Sequence, residues 1–447
     1  MISFKTLLAA SFSFTTLFAV AQEQTGPLTS AHKPLVEIQQ DSLTASHKII
    51  TMGSEPKVKS QAYADSVKHL IENFYYDQFR HFQDPAAPYF LFMSRDASLA
   101  MGIGGAVRMR GYFDWDGAIP ASGFAPYLIP MNPDPTKMRK FDTTPAGSCL
   151  FFRVIGRNKT LGDYQLYIEA NFNGYQARDF HLKKAYATIN NWTIGYANST
   201  FSDPAAQPAT VDAQGPANKI TPTNVLVRWM PRFKKNWVAA VSVETPSTSY
   251  GLTENTAAVD HWIPDAAAFL QYEWGKTSHV RLSGVVRALS YRDLLTQTNH
   301  YRAGWGAMLS TVFHPLPQLT VYGTANYGHG YASLGGDLLI GNYDLIANPD
   351  HDGQLYAPAS LGWCAGVQYN ILPNLFVSTS LSETRFLPER SVSGSEYRYG
   401  LFGDVNIFWN LTPRIQVGAE FDYGKRKDFN GDSRWAKRVG AMCQFSF

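Results

Sequence analysis

From about residue 97 to the last residue, apolar and polar positions alternate with period two, in segments of about ten residues divided by turn-forming ones. Leu99, Met101, Ile103, Val107 and Met109 alternate with Ala100, Gly102, Ala106, Arg108 and Arg110. Ile415, Val417, Ala419, Phe421 and Tyr423 alternate with Gln416, Gly418, Glu420 and Asp422. Successive side chains of a strand point to opposite faces, so each segment offers one apolar face and one polar face. A wall that meets lipid outside and water inside requires this pattern. Strands are expected near 97–114, 148–156, 161–172, 179–189, 192–198, 224–231, 235–245, 262–274, 278–292, 301–313, 317–328, 355–371, 374–387, 397–410, 413–425 and 433–447. An even number lets one chain close a barrel with both ends on the same side of the membrane. The expected fold class is all-β, a closed antiparallel transmembrane β-barrel of about sixteen strands.

The links between the segments sort by parity. Those near Gly156–Thr160, Asn190–Asn191, Pro231–Lys234, Gly275–Thr277, His314–Pro317, Leu372–Asn374 and Asn410–Thr412 are short, and every second link is one of them. The links between them are longer, above all 115–147, 199–223, 246–261 and 329–354. Barrels of the outer membrane have such a short-turn side and a long-loop side. Trp192, Trp237, Trp274 and Trp409 fall at the short-turn ends, and Trp115 and Trp262 at the opposite rim, as two interfacial belts require. Trp305 and Trp363 lie nearer mid-strand and read as ordinary packed residues. The chain ends Gly440-Ala-Met-Cys-Gln-Phe-Ser-Phe447, an alternating strand with a terminal aromatic, as in bacterial outer-membrane barrels.

The part ahead of the barrel reads differently. Residues 1–21 combine Lys5, an apolar run from Leu7 to Val20 and Ala19-Val-Ala21 before Gln22, the pattern of a cleaved signal peptide. The run of about 14 residues is shorter than the roughly 20 that a spanning helix needs. Residues 22–56 are polar and aperiodic, a periplasmic tail. Over 57–84, Val58, Ala62, Val67, Leu70, Ile71, Phe74 and Gln78 share one side, which predicts an amphipathic helix packed on neighbouring subunits or on the underside of the barrel. The prolines after Asp84 end it.

Composition refines this. Aromatic residues are 14% of the chain, with 24 Tyr and 28 Phe, which suits many strands with aromatic ends. A net charge of +3 gives no reason to expect nucleic acid as a partner. Cys149, Cys364 and Cys443 have no metal-ligand spacing and read as free thiols. Asn348-Pro-Asp-His-Asp-Gly353 and Asp428-Phe-Asn-Gly-Asp432 lack the spacing and closing glutamate of a calcium loop and read as turns. No phosphate loop, zinc pair or nucleophile elbow is present, so no cofactor, metal or enzymatic activity is expected.

The inward face carries the remaining chemistry. By alternation it includes Arg108, Arg110, Arg153, His181, Lys183, Arg228, Arg281, Arg287, Arg398, Arg434 and Arg438, against Glu169, Asp265, Glu273, Asp404, Glu420 and Asp422. Guanidinium groups lining a narrow water path replace part of an anion's hydration, which favours passage of carboxylates and phosphates. The same charges also serve to pair across the lumen and keep it solvated. Link 199–223 is rich in Pro, Ala and small polar residues, a composition suited to folding back into the lumen. Asp203 and Asp212 would then face the arginines and set a field across the constriction.

The run Phe180-His-Leu-Lys-Lys-Ala-Tyr186, the strand and loop Trp192–Pro204, Val211-Asp-Ala-Gln-Gly-Pro216, Pro264-Asp-Ala266 and Gly284-Val-Val-Arg287 resemble the DcaP-like trimeric outer-membrane porins, in a Bacteroidetes-type member. The resemblance spans roughly residues 85–447. It implies a homotrimer in the bacterial outer membrane, in contact with lipid and lipopolysaccharide, that passes small anionic solutes such as dicarboxylates. Family basic positions fall on His181, Lys183 and Arg287. Lys184 departs from the pattern, because alternation puts it on the outer face, where a subunit interface could hold it and lipid contact is costly. Two other readings stay open. A barrel hydrolase needs a serine paired with a histidine, and none pair by register; a surface receptor or adhesin needs long apolar outer loops, and these are mostly polar.

Overall fold

The computed structural model describes residues 48–52, 78–82, 84, 90–94 and 98–447, apart from 118, 159, 161, 174–178 and 276–277. Sixteen long strands form the wall: β1 (Leu99–Trp115), β2 (Cys149–Asn158), β3 (Gly162–Asn173), β4 (Asp179–Ile189), β5 (Trp192–Asn198), β6 (Thr223–Trp229), β7 (Trp237–Glu244), β8 (Asp265–Trp274), β9 (Ser278–Asp293), β10 (Thr298–Leu316), β11 (Leu319–His329), β12 (Ala359–Leu372), β13 (Leu375–Leu387), β14 (Tyr397–Asn410), β15 (Ile415–Asp428) and β16 (Ser433–Ser446). Each pairs antiparallel with the next. β16 closes the ring on β1, from Lys437 opposite Trp115 to Ser446 opposite Ala106. The sixteen expected segments correspond one to one with these strands.

Alternation becomes inside and outside as the pattern requires. Along β14, Phe402, Asp404, Asn406 and Phe408 are buried, whereas Val405, Ile407 and Trp409 are exposed on the outer face. Ile103, Val107, Val241, Leu309 and Val439 continue the exposed apolar girdle around the ring. Aromatic pairs mark its two edges. Trp237 packs on Tyr272 and Trp192 on Trp229 at the short-turn side; Tyr423 stacks on Trp435 toward the long-loop side. Trp305 faces outward and packs against Tyr327 and His329. Cys149 and Cys364 are buried thiols and Cys443 is exposed.

The expected signal peptide lies outside the described residues, and so does the helix over 57–84 except for 78–82 and 84, where 78–82 form turns rather than a helix. Within the expected tail, Lys48–Met52 is a strand, parallel to Phe90–Ser94, which pairs antiparallel with β1 at Ala100–Gly102. The reason is an open edge. β1 runs seven residues past the point where β16 stops pairing with it, at Ala106, and unpaired strand edges are satisfied by whatever strand can reach them. Phe447 bonds both ways with Gly105 and ends the seam.

The exterior gives a stability prediction. Val405→Arg places a charge at mid-wall and is expected to cost about 2–4 kcal/mol, against about 0–1 kcal/mol for Phe141→Arg at the long-loop rim. Urea unfolding in lipid vesicles, followed by tryptophan fluorescence, measures both; equal costs would mean that the girdle does not face lipid.

Candidate functional site: the lumen and its inward loop

Loop 199–222 leaves β5, enters the barrel and returns as β6. Its neck is closed by Ser199 N–H donating to the Pro222 carbonyl at 2.9 Å. Along its course the wall takes hold of it repeatedly. Thr200 N–H donates to Glu244 at 2.8 Å, and the Ser202 carbonyl accepts from Arg281 Nη1 at 2.8 Å. Asp203 meets His279 at 3.0 Å, Ser310 at 2.5 Å and Arg281 at 3.5 Å. Further on, Val211 N–H donates to Asn406 at 3.0 Å and Asp212 N–H to Glu420. Ala217 N–H donates to Ser382 at 2.9 Å, and Asn218 to Thr324 at 2.8 Å. From the long-loop side, Gly336 and Asp337 N–H groups donate to the carbonyls of Lys219 and Ala217. Apolar contacts complete the attachment, with Phe201 against Ala267, Val285 and Met308, and Val211 against Phe376, Phe408 and Met442.

Asp203 is fully buried, yet its carboxyl lies well below the usual carboxylate range: burial opposes the charge, and Arg281 and His279 outweigh it. Asp212 caps Gln214 and Gly215 and accepts from Phe124 N–H at 3.0 Å, with Arg438 at 3.5 Å. Both aspartates therefore bind the loop into the barrel; they do not face the arginines across open water.

The arginines divide accordingly. Arg287 is buried between Asp265 at 3.0 Å and Asp344 at 3.2 Å and donates to the carbonyls of Gly330 and Ser247, so it ties two long-side loops together. Arg438 grips Asp114 with two nitrogens, at 2.6 and 3.0 Å, and donates to Ser122 and Ala121 carbonyls, fastening loop 116–139. Arg281 holds Ser202 and Asp203, and Arg228 donates to the Asn198 carbonyl at 3.0 Å. Arg434 lies opposite Arg426 at the long-loop rim, and His181 is exposed near Asp179 at the far end of β4. Arg398 is not on the lumen face: a register shift at Tyr397–Tyr399 turns it out at the rim, over Phe429.

Arg108, Arg110, Arg153 and Lys183 remain, on β1, β2 and β4, and of these Arg110 also reaches the inward loop, Nη1 donating to the Val211 carbonyl at 3.4 Å. Arg108 Nε donates to Gln444 at 2.7 Å and Arg153 to Gln165 at 2.9 Å. Lys184 joins them. It is buried, not lipid-facing, because the β3–β4 pairing shifts by one: Glu169 stands opposite Lys184 and Ala170 opposite Leu182, leaving Lys183 as an inserted residue. Such a β-bulge puts two consecutive side chains on one face. Glu169 receives Lys183 at 2.9 Å and the Tyr167 hydroxyl at 3.0 Å. Lys219 of the loop completes the cluster, within electrostatic reach of Asp212, Lys183 and Arg110, and burial brings its ammonium down to about 8. Sequence reading puts Lys184 on the outer face and does not single out Lys219, although the Lys183-Lys184 doublet signals a bulge, since strict alternation would send one of them into lipid.

Serine and histidine do meet here, contrary to the register reading. Ser278 Oγ lies 3.1 Å from His314 Nδ1, and Ser290 Oγ 3.3 Å from His261. Ser278 also accepts the His314 N–H, so this contact caps neighbouring strand ends at the short-turn side. Among the described residues no group of His, Cys, Asp and Glu is arranged to hold a metal.

No protein-family model matches the sequence, and no curated protein does. Solved structures do match. The outer-membrane channel DcaP of Acinetobacter baumannii superposes with a TM-score of 0.67 at 19% identity, over 78% of this chain and 98% of that one. An anion-selective porin from Comamonas acidovorans superposes with a TM-score of 0.50 at 9% identity, over 78% of this chain and all of that one. The barrel has the porin fold. With its apolar girdle, it is a barrel of the bacterial outer membrane.

The loop contacts give a pH prediction. Asp337 accepts from Tyr397 at 3.0 Å and from Tyr127 N–H at 3.2 Å, and burial pushes its carboxyl up to about 7. A raised carboxyl stabilises docking of loop 330–358 fully below its ordinary pKa, and that contribution is lost as pH rises through about 7. Once the intrinsic base catalysis of amide exchange is divided out, protection of this loop is expected to fall as pH rises from the ordinary carboxyl range to about 7 and to level off above it, and Asp337→Asn to flatten the dependence. A pH-independent loop in the native protein would contradict it.

Proposed function

We propose that this protein is a passive outer-membrane channel for small hydrophilic solutes with a preference for anions, dicarboxylates among them, and that it works as a homotrimer surrounded by outer-membrane lipid and lipopolysaccharide. One observation supports the reading: Arg108, Arg110, Arg153, Lys183 and Lys184 gather on β1, β2 and β4, Lys219 of the inward loop lies within electrostatic reach of Lys183 and Arg110, and Glu169 is set among them on the wall. A solute carboxylate crossing there exchanges water for cationic donors, whereas a cation is repelled. The two porins of like fold are consistent with this, one of them being anion-selective by its own description.

Planar-bilayer recordings test it. Under a salt gradient the reversal potential is expected on the anion side, with current steps grouped in threes. Arg153→Gln with Arg108→Gln should move the permeability ratio toward unity while heat-modifiable mobility on gels shows the barrel still folded. A cation-side potential in the native protein would reject anion preference, and single steps would reject the trimer.

A further inference from the structure

Residues 78–82 and 84, which precede the barrel in sequence, lie inside it. Phe79 packs on Val238 and Ala240 of β7 and edge-on against Phe269 of β8, at 6.2 Å and 65°. The Arg228 guanidinium stands 3.9 Å over its ring, and Asn198 Nδ2 donates to its carbonyl at 3.0 Å. Phe82 meets Phe376 of β13 at 5.9 Å and Phe408 of β14 at 5.0 Å, beneath Ala209 and Val211 of the inward loop. Asp84 receives Lys183 Nζ at 2.7 Å and Lys184 Nζ at 3.1 Å, both on β4, and turns back to accept the His81 N–H at 3.0 Å.

These three seats cannot share one side of the barrel. β7 and β14 are seven places apart on a ring of sixteen, nearly opposite, and β4 belongs to a third sector. A segment touching all three crosses the lumen. Its depth is fixed as well: Val238, Phe376 and Phe408 are within a few residues of the short-turn ends of their strands, so it runs along the underside of the inward loop. Its carboxylate rests on the lysine pair of the cationic wall, where a solute carboxylate would be drawn.

We propose that residues 78–82 and 84 form a tethered occluder of the channel, with the Asp84 carboxylate as an intrachain competitor for the Lys183–Lys184 site that receives carboxylate solutes. The proposal rests on the channel reading above. Two aromatic side chains hold the segment in the lumen by burial and ring contacts, and the carboxylate supplies the part that competes with solute. Asp84 stays ionised in its seat: burial opposes the charge, but Lys183 and Lys184 draw its carboxyl well below the usual range. The competition therefore persists at neutral pH. Opening requires the segment to leave toward the short-turn side, and a carboxylate solute or high salt favours that exit.

The test uses the full chain with Phe79→Ala, Phe82→Ala and Asp84→Asn combined, and Asp84→Asn alone. In bilayers the triple variant is expected to conduct several-fold more than the native protein at the same salt, with fewer closures, and the single variant to fall between them. Trypsin applied to the short-turn side is expected to cut after Arg80 readily in the triple variant and slowly in the native protein. Equal conductance, or equal cutting at Arg80, overturns the occluder while leaving the channel intact. Silence from every protein, with gel mobility showing folded barrels, removes the channel reading and the occluder's role with it.

Discussion

The lumen of this barrel is organised by buried guanidinium groups that bind backbone carbonyls and carboxylates of the long-side loops. Arg281, Arg287 and Arg438 are each almost wholly buried, and each joins a wall strand to a loop: Arg281 to loop 199–222, Arg287 to loops 245–264 and 330–358, and Arg438 to loop 116–139. A sixteen-strand ring is too wide for its own inward side chains to fill, so loops must enter it, and a loop brings backbone polar groups that need partners. An arginine supplies five donors in a fixed fork, which lets one side chain satisfy a carboxylate and one or two carbonyls together. Removing one partner of such a buried pair leaves an uncompensated charge, at a cost of about 3–5 kcal/mol. The loops are therefore anchored to the wall through these buried pairs.

That division explains what was legible in the sequence. The barrel could be read because period-two alternation is a property of each strand by itself and survives any error in strand ends. Val405 and Asn406 are assigned to opposite faces whether β14 begins at Tyr397 or two residues later. The inward arginines could be read for the same reason. Their roles could not, because alternation says which face a side chain takes and nothing of what meets it there. Arg287 and Arg153 look alike in sequence; in the fold one sits between Asp265 and Asp344 and the other donates to Gln165 on the wall. The difference is made by Asp344, more than fifty positions from Arg287 in the chain.

Where local pattern fails, it fails at a single inserted residue or at a segment with no period. The bulge at Lys183 breaks parity for one position and turns Lys184 from a lipid-facing anomaly into a lumen cation. Arg398 is displaced outward by a similar shift at the rim. Residues 78–82 and 84 hold two phenylalanines and an aspartate at spacings that specify neither strand nor helix, and their placement follows from three distant wall sites at once.

The two tasks of the lumen compete for the same residue type. Arginines that pin loops through carboxylates stay charged but have their field offset by the partner, so a wall built wholly of such pairs would be nearly neutral to a passing ion. Selectivity requires cations whose partners are neutral or shared, and these gather on β1, β2 and β4, where Gln444 and Gln165 accept from Arg108 and Arg153. A neutral amide orients a guanidinium without cancelling it. The glutamines beside these two arginines, no less than the arginines, are what leave that arc of wall positive.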